Sequence, residues 1–317
     1  MLGVEAAVRH GRPVLDRAFA DLSAVDPARV VQGMERLVDG LGALRKRLPP
    51  PSWDVFCRTE CVTHPVRYLV HQDPLTERSY FKPRGYPGDP VLMDFFYGGE
   101  DVTAYLERVT ALGRRIYDVT SNSRVARALR RRRKILAQLI DRVTSATSGC
   151  RILTLDCGHL REMELCPVLR KGRIDRFLAI DRDAESLKVV EERFGPLGVE
   201  TKVSTVHELL QEPERLGSFD LVYSVGVYDY LGRGLASRVT DALFRILRPQ
   251  GSLLVTNIVE GLRDVGYLEA FMDWRLQYRN AQDMFSLTGG LPEEAIVDRR
   301  TFIEEVDGIV YMIVRHA

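Results

Sequence analysis

The chain has 317 residues, 45% apolar and 28% charged, a composition that supports one large or two moderate globular domains with sizeable cores. Forty-five Lys and Arg against 44 Asp and Glu leave a net charge of +1, which argues against a globally basic nucleic-acid binder and against an acidic solvating tail. No apolar run reaches the ~18 residues of a membrane span, MLGVEAAVRHGRP lacks a signal-peptide core, and five cysteines form no disulfide framework, so a reduced cytoplasmic enzyme or binding protein is expected.

Residues 1–48 read as helical. VVQGMERLVDGLGALRKRL places apolar residues at helical spacing, and Pro49, Pro50 and Pro51 are expected to end the run. Residues 52–100 are mixed and hold the segment YFKPRGYPGDP; residues 101–145 read as helical again. RVARALRRRRK, Arg124–Lys134, has seven cations in eleven residues and turns Val125, Leu129 and Ile135 partly inward. It reads as a solvated helix face, because one helix is a poor groove reader by itself. Residues 1–150 carry 24 basic and 17 acidic side chains, net +7; residues 151–317 carry 21 and 27, net −6. The opposite signs predict attraction between the halves. The polar SATSGC segment near 145–150 predicts a mainly helical N-terminal cap over 1–145 and an α/β domain over 146–317.

From residue 151 the pattern alternates. RILTL, RFLAI, VETKV, FDLVYSV and GSLLVTN read as strands. REMELCPVLR, AESLKVVEERF, VHELLQ and ASRVTDALFRILR read as helices between them. This order demands a mostly parallel sheet with helices on both faces. LRPQG stops the last of these helices with Pro and Gly in the expected order. A helical stretch over 264–286 follows, and AIVDRRT with GIVYMIVRHA reads as an antiparallel edge hairpin.

Open α/β sheets bind ligands beyond the carboxyl ends of their strands. Those positions here are Asp156–Glu162, Asp181, Thr205 with Val206, and Ser224–Tyr230. Asp181 lies 23 residues beyond Gly158, a spacing that suits an acid accepting both hydroxyls of a ribose. The alternative for Asp181 is a helix cap before AESLKVVEERF. The glycine pattern that brings backbone onto a pyrophosphate is absent, whereas a ligand without phosphates, such as S-adenosylmethionine, asks less of this loop. Cys57-x3-Cys61-x2-His64 fits no zinc or iron–sulfur spacing, and no metal is expected. Cys157 reads as a small residue lining the loop rather than a nucleophile, and His159 and His207 are candidate bases or packing residues.

Residues 151–317 resemble a class I S-adenosylmethionine-dependent methyltransferase. FDLVYSVGVYDYL and ILRPQGSLLVTN resemble that fold's fourth and fifth strand motifs. More narrowly, YFKPRGYPGD, DCGHLRE, YSVGVYDYL and FMDWRLQYRN are similar to a bacterial subgroup labelled 3-hydroxypalmitic acid methyl ester biosynthesis proteins. The resemblance implies a Rossmann-like, mostly parallel seven-stranded sheet with an antiparallel C-terminal hairpin. It implies S-adenosylmethionine as cofactor, with Asp156, Cys157 and Gly158 on its methionine part and Asp181 on its ribose. Arg182, Thr205 and Val206 would flank the adenine, and Ser224, Val225 and Gly226 would floor the reactive sulfur. Lys82, Arg84, Tyr86 and Asp89 lie in the subgroup's N-terminal segment, expected to fold over the cofactor as a lid; Lys82, Arg84 and Tyr86 are taken as cofactor contacts. Tyr228 and Asp229 are the expected catalytic residues, with Tyr230, Trp274, Tyr278 and Arg279 on the substrate. Asp156 and Leu160 stand where the family's loop carries its first and third glycines, and Thr154 stands where it often carries an acid. The expected reaction is O-methylation of a carboxylate or hydroxyl of a lipid-like or natural-product metabolite. Cyclase, lyase or binding chemistry on the same fold, nucleic-acid methylation, and a homodimer remain open alternatives.

Overall fold

The computed structural model describes residues 2–24, 26–167 and 173–317. The chain divides into two compact units, Met1–Leu129 with Gly261–Arg275, and Arg130–Glu260 with Leu276–Ala317. The division falls inside a helix rather than at the SATSGC segment. Among the described residues no helix is long and apolar enough to cross a membrane.

The first unit is helical. Its elements are α1 (Leu2–Leu22), α2 (Pro27–Arg47), α3 (Pro50–Phe56), a π-helical turn (Cys57–Cys61), α4 (Val66–Val70), α5 (Pro74–Phe81), α6 (Pro90–Tyr97), α7 (Glu100–Leu106), α8 (Ala111–Thr120) and the start of α9 (Arg124–Ala146). Helix α2 begins at Asp26, whose carboxylate accepts the Ala28 amide, and buries Val30, Met34, Leu37, Leu41 and Leu44 on one stripe. The three prolines do not simply end the run. Pro50 and Pro51 open α3, where their fixed φ suits a first turn and their missing N–H costs nothing. The YFKPRGYPGDP segment joins two capped helices. Lys82 closes α5 in the left-handed region (φ 50°), and Asp89 caps α6 by accepting the Leu92 amide at 2.8 Å. Arg78 grips the same Asp89 with two parallel bonds of 2.9 and 2.8 Å. Cys57 and Cys61 are buried free thiols on the π turn. His64 bonds Asp16 and the amide of Val66.

Residues 261–275 return to this unit through α13 (Val265–Phe271), every residue of which is buried. Glu269 accepts from Trp53 Nε1 at 2.6 Å and from Arg45 Nε at 2.8 Å. Tyr267 meets Thr76, which donates to the buried Asp73, and Thr120 donates to the same carboxylate. Gly266 lets α13 touch α2. A Cβ there would stand 2.4 Å from the carbonyl carbon of Leu41.

The second unit is a seven-stranded sheet in the order β3-β2-β1-β4-β5-β7-β6. The strands are β1 (Cys150–Leu155), β2 (Ile174–Asp181), β3 (Val199–Val203), β4 (Phe219–Ser224), β5 (Leu247–Ile258), β6 (Ile296–Ile303) and β7 (Ile309–His316). The first five pair in parallel, whereas β7 lies antiparallel between β5 and the edge strand β6. This is the Rossmann-like architecture expected, antiparallel C-terminal hairpin included. Helices α10 (Ala184–Phe194), α11 (Val206–Gln211), α12 (Arg233–Arg245) and α14 (Ala281–Ser286) complete the unit with the rest of α9.

Three expected elements differ. REMELCPVLR forms only a 3-10 turn over Arg161–Leu165, and residues 168–172 lie outside the described residues. Strand β5 starts at Leu247, before the LRPQG glycine, because Leu247 already pairs with Phe219. The helix expected over 264–286 breaks between α13 and α14. Asp273 is left-handed (φ 44°), and the amides of Gln277 and Arg279 donate to the carbonyls of Asp229 and Ile258 instead of to their own preceding turn.

Because Gly266 faces backbone, not a movable side chain, Gly266→Ala should destabilise the protein by about 3 kcal/mol, read as a lower urea midpoint.

Candidate functional site

The strand order reverses between β1 and β4, so a crevice opens at their carboxyl ends. Leu155 is in register with Ile180 of β2 and Ser224 of β4, which sets the three following loops side by side. Ser224 is buried, and its hydroxyl donates to the Leu155 carbonyl at 2.9 Å, tying the two central strands at the rim.

The loop after β1 turns sharply. Asp156, Gly158 and Leu160 have φ of 61°, 54° and 52°. Glycine takes this region freely and Asp with little penalty, whereas for Leu it is strained. Asp156 and Leu160 thus hold the left-handed backbone that glycine adopts freely. Leu160 is 1% exposed, so its side chain packs inward and the core holds the strain.

Asp181 organises this loop. One carboxylate oxygen accepts the Gly158 amide at 2.8 Å and the other accepts the Asp183 amide at 2.9 Å. Each oxygen keeps a further lone pair for a ligand hydroxyl. The cap before α10 is Asp183, so the capping alternative for Asp181 does not hold. Ser204 donates its amide to the Asp181 carbonyl, which brings Thr205 and Val206 to the same rim. Thr205 caps α11 in a reciprocal box with Glu208.

Across the crevice, Gly226 lies against Asp156. A Cβ on Gly226 would stand 2.9 Å from Asp156 Oδ2. Burial pushes the Asp156 carboxyl well up, the neighbouring Asp181 adds to this, and Arg182 and Arg132 oppose it. Burial raises Asp181 too, against the amides it accepts. Burial also pushes Cys157 far above the ordinary thiol range, which disfavours its thiolate.

Arg132 was not singled out by its sequence. It is 6% exposed and donates to the Val225 carbonyl, a correction to the solvated helix face expected for the whole cationic run. Arg133 donates to the Arg161 carbonyl and to Glu164, and Arg131 pairs with Glu305. A signal existed. Position 132 lies three residues after Leu129 and four before Leu136, both buried, so it sits on the apolar stripe of α9.

Tyr228 and Asp229 stand on the short turn Val227–Tyr230. The Tyr228 hydroxyl is buried against Thr240 Oγ1 at 3.0 Å. Asp229 accepts the Ile258 amide at 2.7 Å, and burial pushes its carboxyl up to about 7 against the pull of Arg132 and Arg279. Arg279 is 5% exposed. It donates to the Tyr228 carbonyl (2.7 Å), to Asn257 Oδ1 (2.5 Å) and to the Leu231 carbonyl. Its guanidinium thus locks the Val227–Tyr230 turn to the end of β5. Tyr230 is 39% exposed and Tyr278 half-buried.

The remaining expected residues belong to the other unit. Trp274 belongs to the helical unit, where it packs against Phe96. The helical face expected to unite Trp274, Tyr278 and Arg279 does not form, because this segment is not helical. Lys82, Arg84 and Tyr86 also belong to the helical unit, and the Lys82 ammonium pairs with Asp273.

A family model described as a methyltransferase domain matches residues 155–255. No curated protein sequence matches the chain. Among solved structures, a possible exported protein from Bordetella parapertussis shares 14% identity over 92% of this chain and 96% of its own, with a TM-score of 0.56. The N-methyltransferase NodS from Bradyrhizobium japonicum WM9, in complex with S-adenosyl-L-homocysteine, shares 16% identity over 59% of this chain and 87% of its own, TM-score 0.44. Magnesium protoporphyrin IX methyltransferase from Synechocystis PCC 6803, with the same ligand bound, shares 10% over 72% and 98%, TM-score 0.46.

Two outcomes follow from the buried charges. Asp229 holds a proton in the folded chain up to about pH 7 but loses it in the unfolded chain near its ordinary value. The folded state binds more protons in that window, so this group's contribution to stability falls as pH rises through it. Asp229→Asn, which keeps an acceptor for Ile258, should therefore show a smaller drop in urea midpoint between about pH 5 and pH 8 than the parent chain. Arg132→Gln removes the buried cation from its acidic surroundings and should cost about 2–3 kcal/mol at neutral pH in the same assay, with Arg132→Lys recovering part of the loss.

Proposed function

We propose that this protein transfers a methyl group from S-adenosylmethionine to an oxygen of a small-molecule acceptor, a carboxylate or a hydroxyl. The observation that carries the reading is the crevice at the β1–β4 reversal, walled by Asp156 and Asp181 and floored by Gly226, within the segment that matches the methyltransferase domain.

The residues present suit this cofactor. Asp181 is held by two backbone amides with lone pairs to spare for both ribose hydroxyls. The acidic wall favours a cation over an anion. After Leu160 the chain enters a five-residue 3-10 turn, not an α-helix whose N-terminus would receive a pyrophosphate. The cofactor is S-adenosylmethionine, and its sulfonium supplies an already activated methyl carbon. The protein's part is then positioning and exclusion of water. Ser224, Val225 and Gly226 form the floor beneath the reacting centre. Arg132 fixes the Val225 carbonyl, and Arg279 fixes the Tyr228 carbonyl, so the floor is rigid from both sides. Tyr228 and Asp229 act as positioning residues, since Thr240 and Ile258 already occupy their polar atoms. Tyr230 is the exposed aromatic of this turn and the residue nearest in sequence to receive an acceptor. An ionised carboxylate acceptor needs no base, which matches a rim whose acids are committed to structure. Five free thiols suit a reducing compartment, and we assign the protein to the cytoplasm.

Calorimetry on the full chain tests this. S-adenosylmethionine and S-adenosylhomocysteine should each bind at one site, and Asp181→Ala should weaken both at least tenfold, about 1.4 kcal/mol. Absence of heat with either ligand would sink the reading. Labelled methyl transfer to a panel of carboxylic acids and alcohols then separates methylation from other chemistry on this fold.

A further inference from the structure

The helical unit holds a partly open cavity of about 340 Å3, at the small end of the range for ligand pockets. Its apolar walls come from four helices. Val38 of α2, Leu75 of α5, Phe96 of α6, and Leu268 of α13 with the adjoining Met272 are all buried. The methyl-transfer reading uses none of them.

Asp264 lines this cavity and is 3% exposed. Its Oδ2 accepts the Val125 amide at 2.9 Å, which caps α9 from outside the helix. The Val125 amide takes one of the lone-pair sites of a carboxylate that has about four. A carboxylate set in a mainly apolar wall gains more from a donor arriving in the cavity than it would in water.

Charge decides what kind of donor. Arg124, Arg127 and Arg263 also line the cavity, as do the exposed Glu35 and Asp118. With Asp264 the lining holds three cations and three anions. A cationic ligand would meet the arginines, and an anionic one would face the buried carboxylate. An uncharged molecule faces neither penalty.

We propose that this cavity binds a small, uncharged, mainly apolar molecule that donates one hydrogen bond to Asp264. N-phenyl-1-naphthylamine has this chemistry, an aromatic frame with one N–H and no charge. Titrated into the full chain, it should give a saturable fluorescence rise at one site per chain. 1-Phenylnaphthalene, a similar frame without the N–H, should displace it at least tenfold more weakly. 8-Anilinonaphthalene-1-sulfonate, a similar frame with a negative charge, should also compete at least tenfold more weakly. Val38→Phe fills the cavity and should abolish binding while leaving the thermal transition cooperative. Absence of saturable binding, equal competition by the hydrocarbon or the sulfonate, or binding that survives in folded Val38→Phe would each overturn the proposal. Where Val38→Phe does not fold, the two competitors decide the matter on the parent chain. None of these probes resembles the cofactor, so failure here leaves the methyl-transfer reading standing.

Discussion

Burying acids side by side at the carboxyl edge of the sheet is the constraint on which the second unit depends. Asp156, Asp181 and Asp229 all have carboxyls raised by burial. Each needs compensation from the protein itself. Asp181 takes two backbone amides, Asp229 takes the Ile258 amide, and Arg132 and Arg279 supply buried positive charge. The same bonds fix the loops after β1, β2 and β4. Compensation of charge and construction of a rigid rim are therefore one act.

Arg132 shows how the two roles join. Its guanidinium reaches the Val225 carbonyl and lies near carboxyls whose upward shift it opposes. Lysine would carry the charge on a flexible stem, whereas the planar fork holds its geometry with less entropy lost per bond. Arg279 works in the same manner from the opposite side. It ties two carbonyls of the Val227–Tyr230 turn and its cap to Asn257 Oδ1 of β5 through one side chain.

The helical unit relies on a different device. Its helices are short, and most of their stability comes from packing and capping rather than from length. Asp73 and Asp89 each cap a helix and also accept side chains from elsewhere in the unit. Segment 261–275 is drawn into this unit by Glu269, Tyr267 and the close approach at Gly266. A stretch of sequence lodged between strands β5 and β6 thus belongs to the other core.

The sequence by itself determined the sheet. Apolar runs alternating with amphipathic helices demand parallel strands, and the final two runs are near enough to pair as a hairpin. It also located the acids at the strand ends, because a site at a strand terminus is a local property once the strands are known. Tertiary structure alone decided what those residues do. The helix expected over 264–286 fails because the amides of Gln277 and Arg279 find carbonyls at Asp229 and Ile258, about twenty or more residues distant, and periodicity within a window cannot register that. One arginine of a cationic run is buried while its neighbours pair at the surface, although all of them look alike in composition. Arg279, expected on a substrate, donates to the Tyr228 and Leu231 carbonyls and to Asn257 Oδ1. Propensity and period act over a few residues, whereas the need to pair buried charge acts wherever the fold brings groups together.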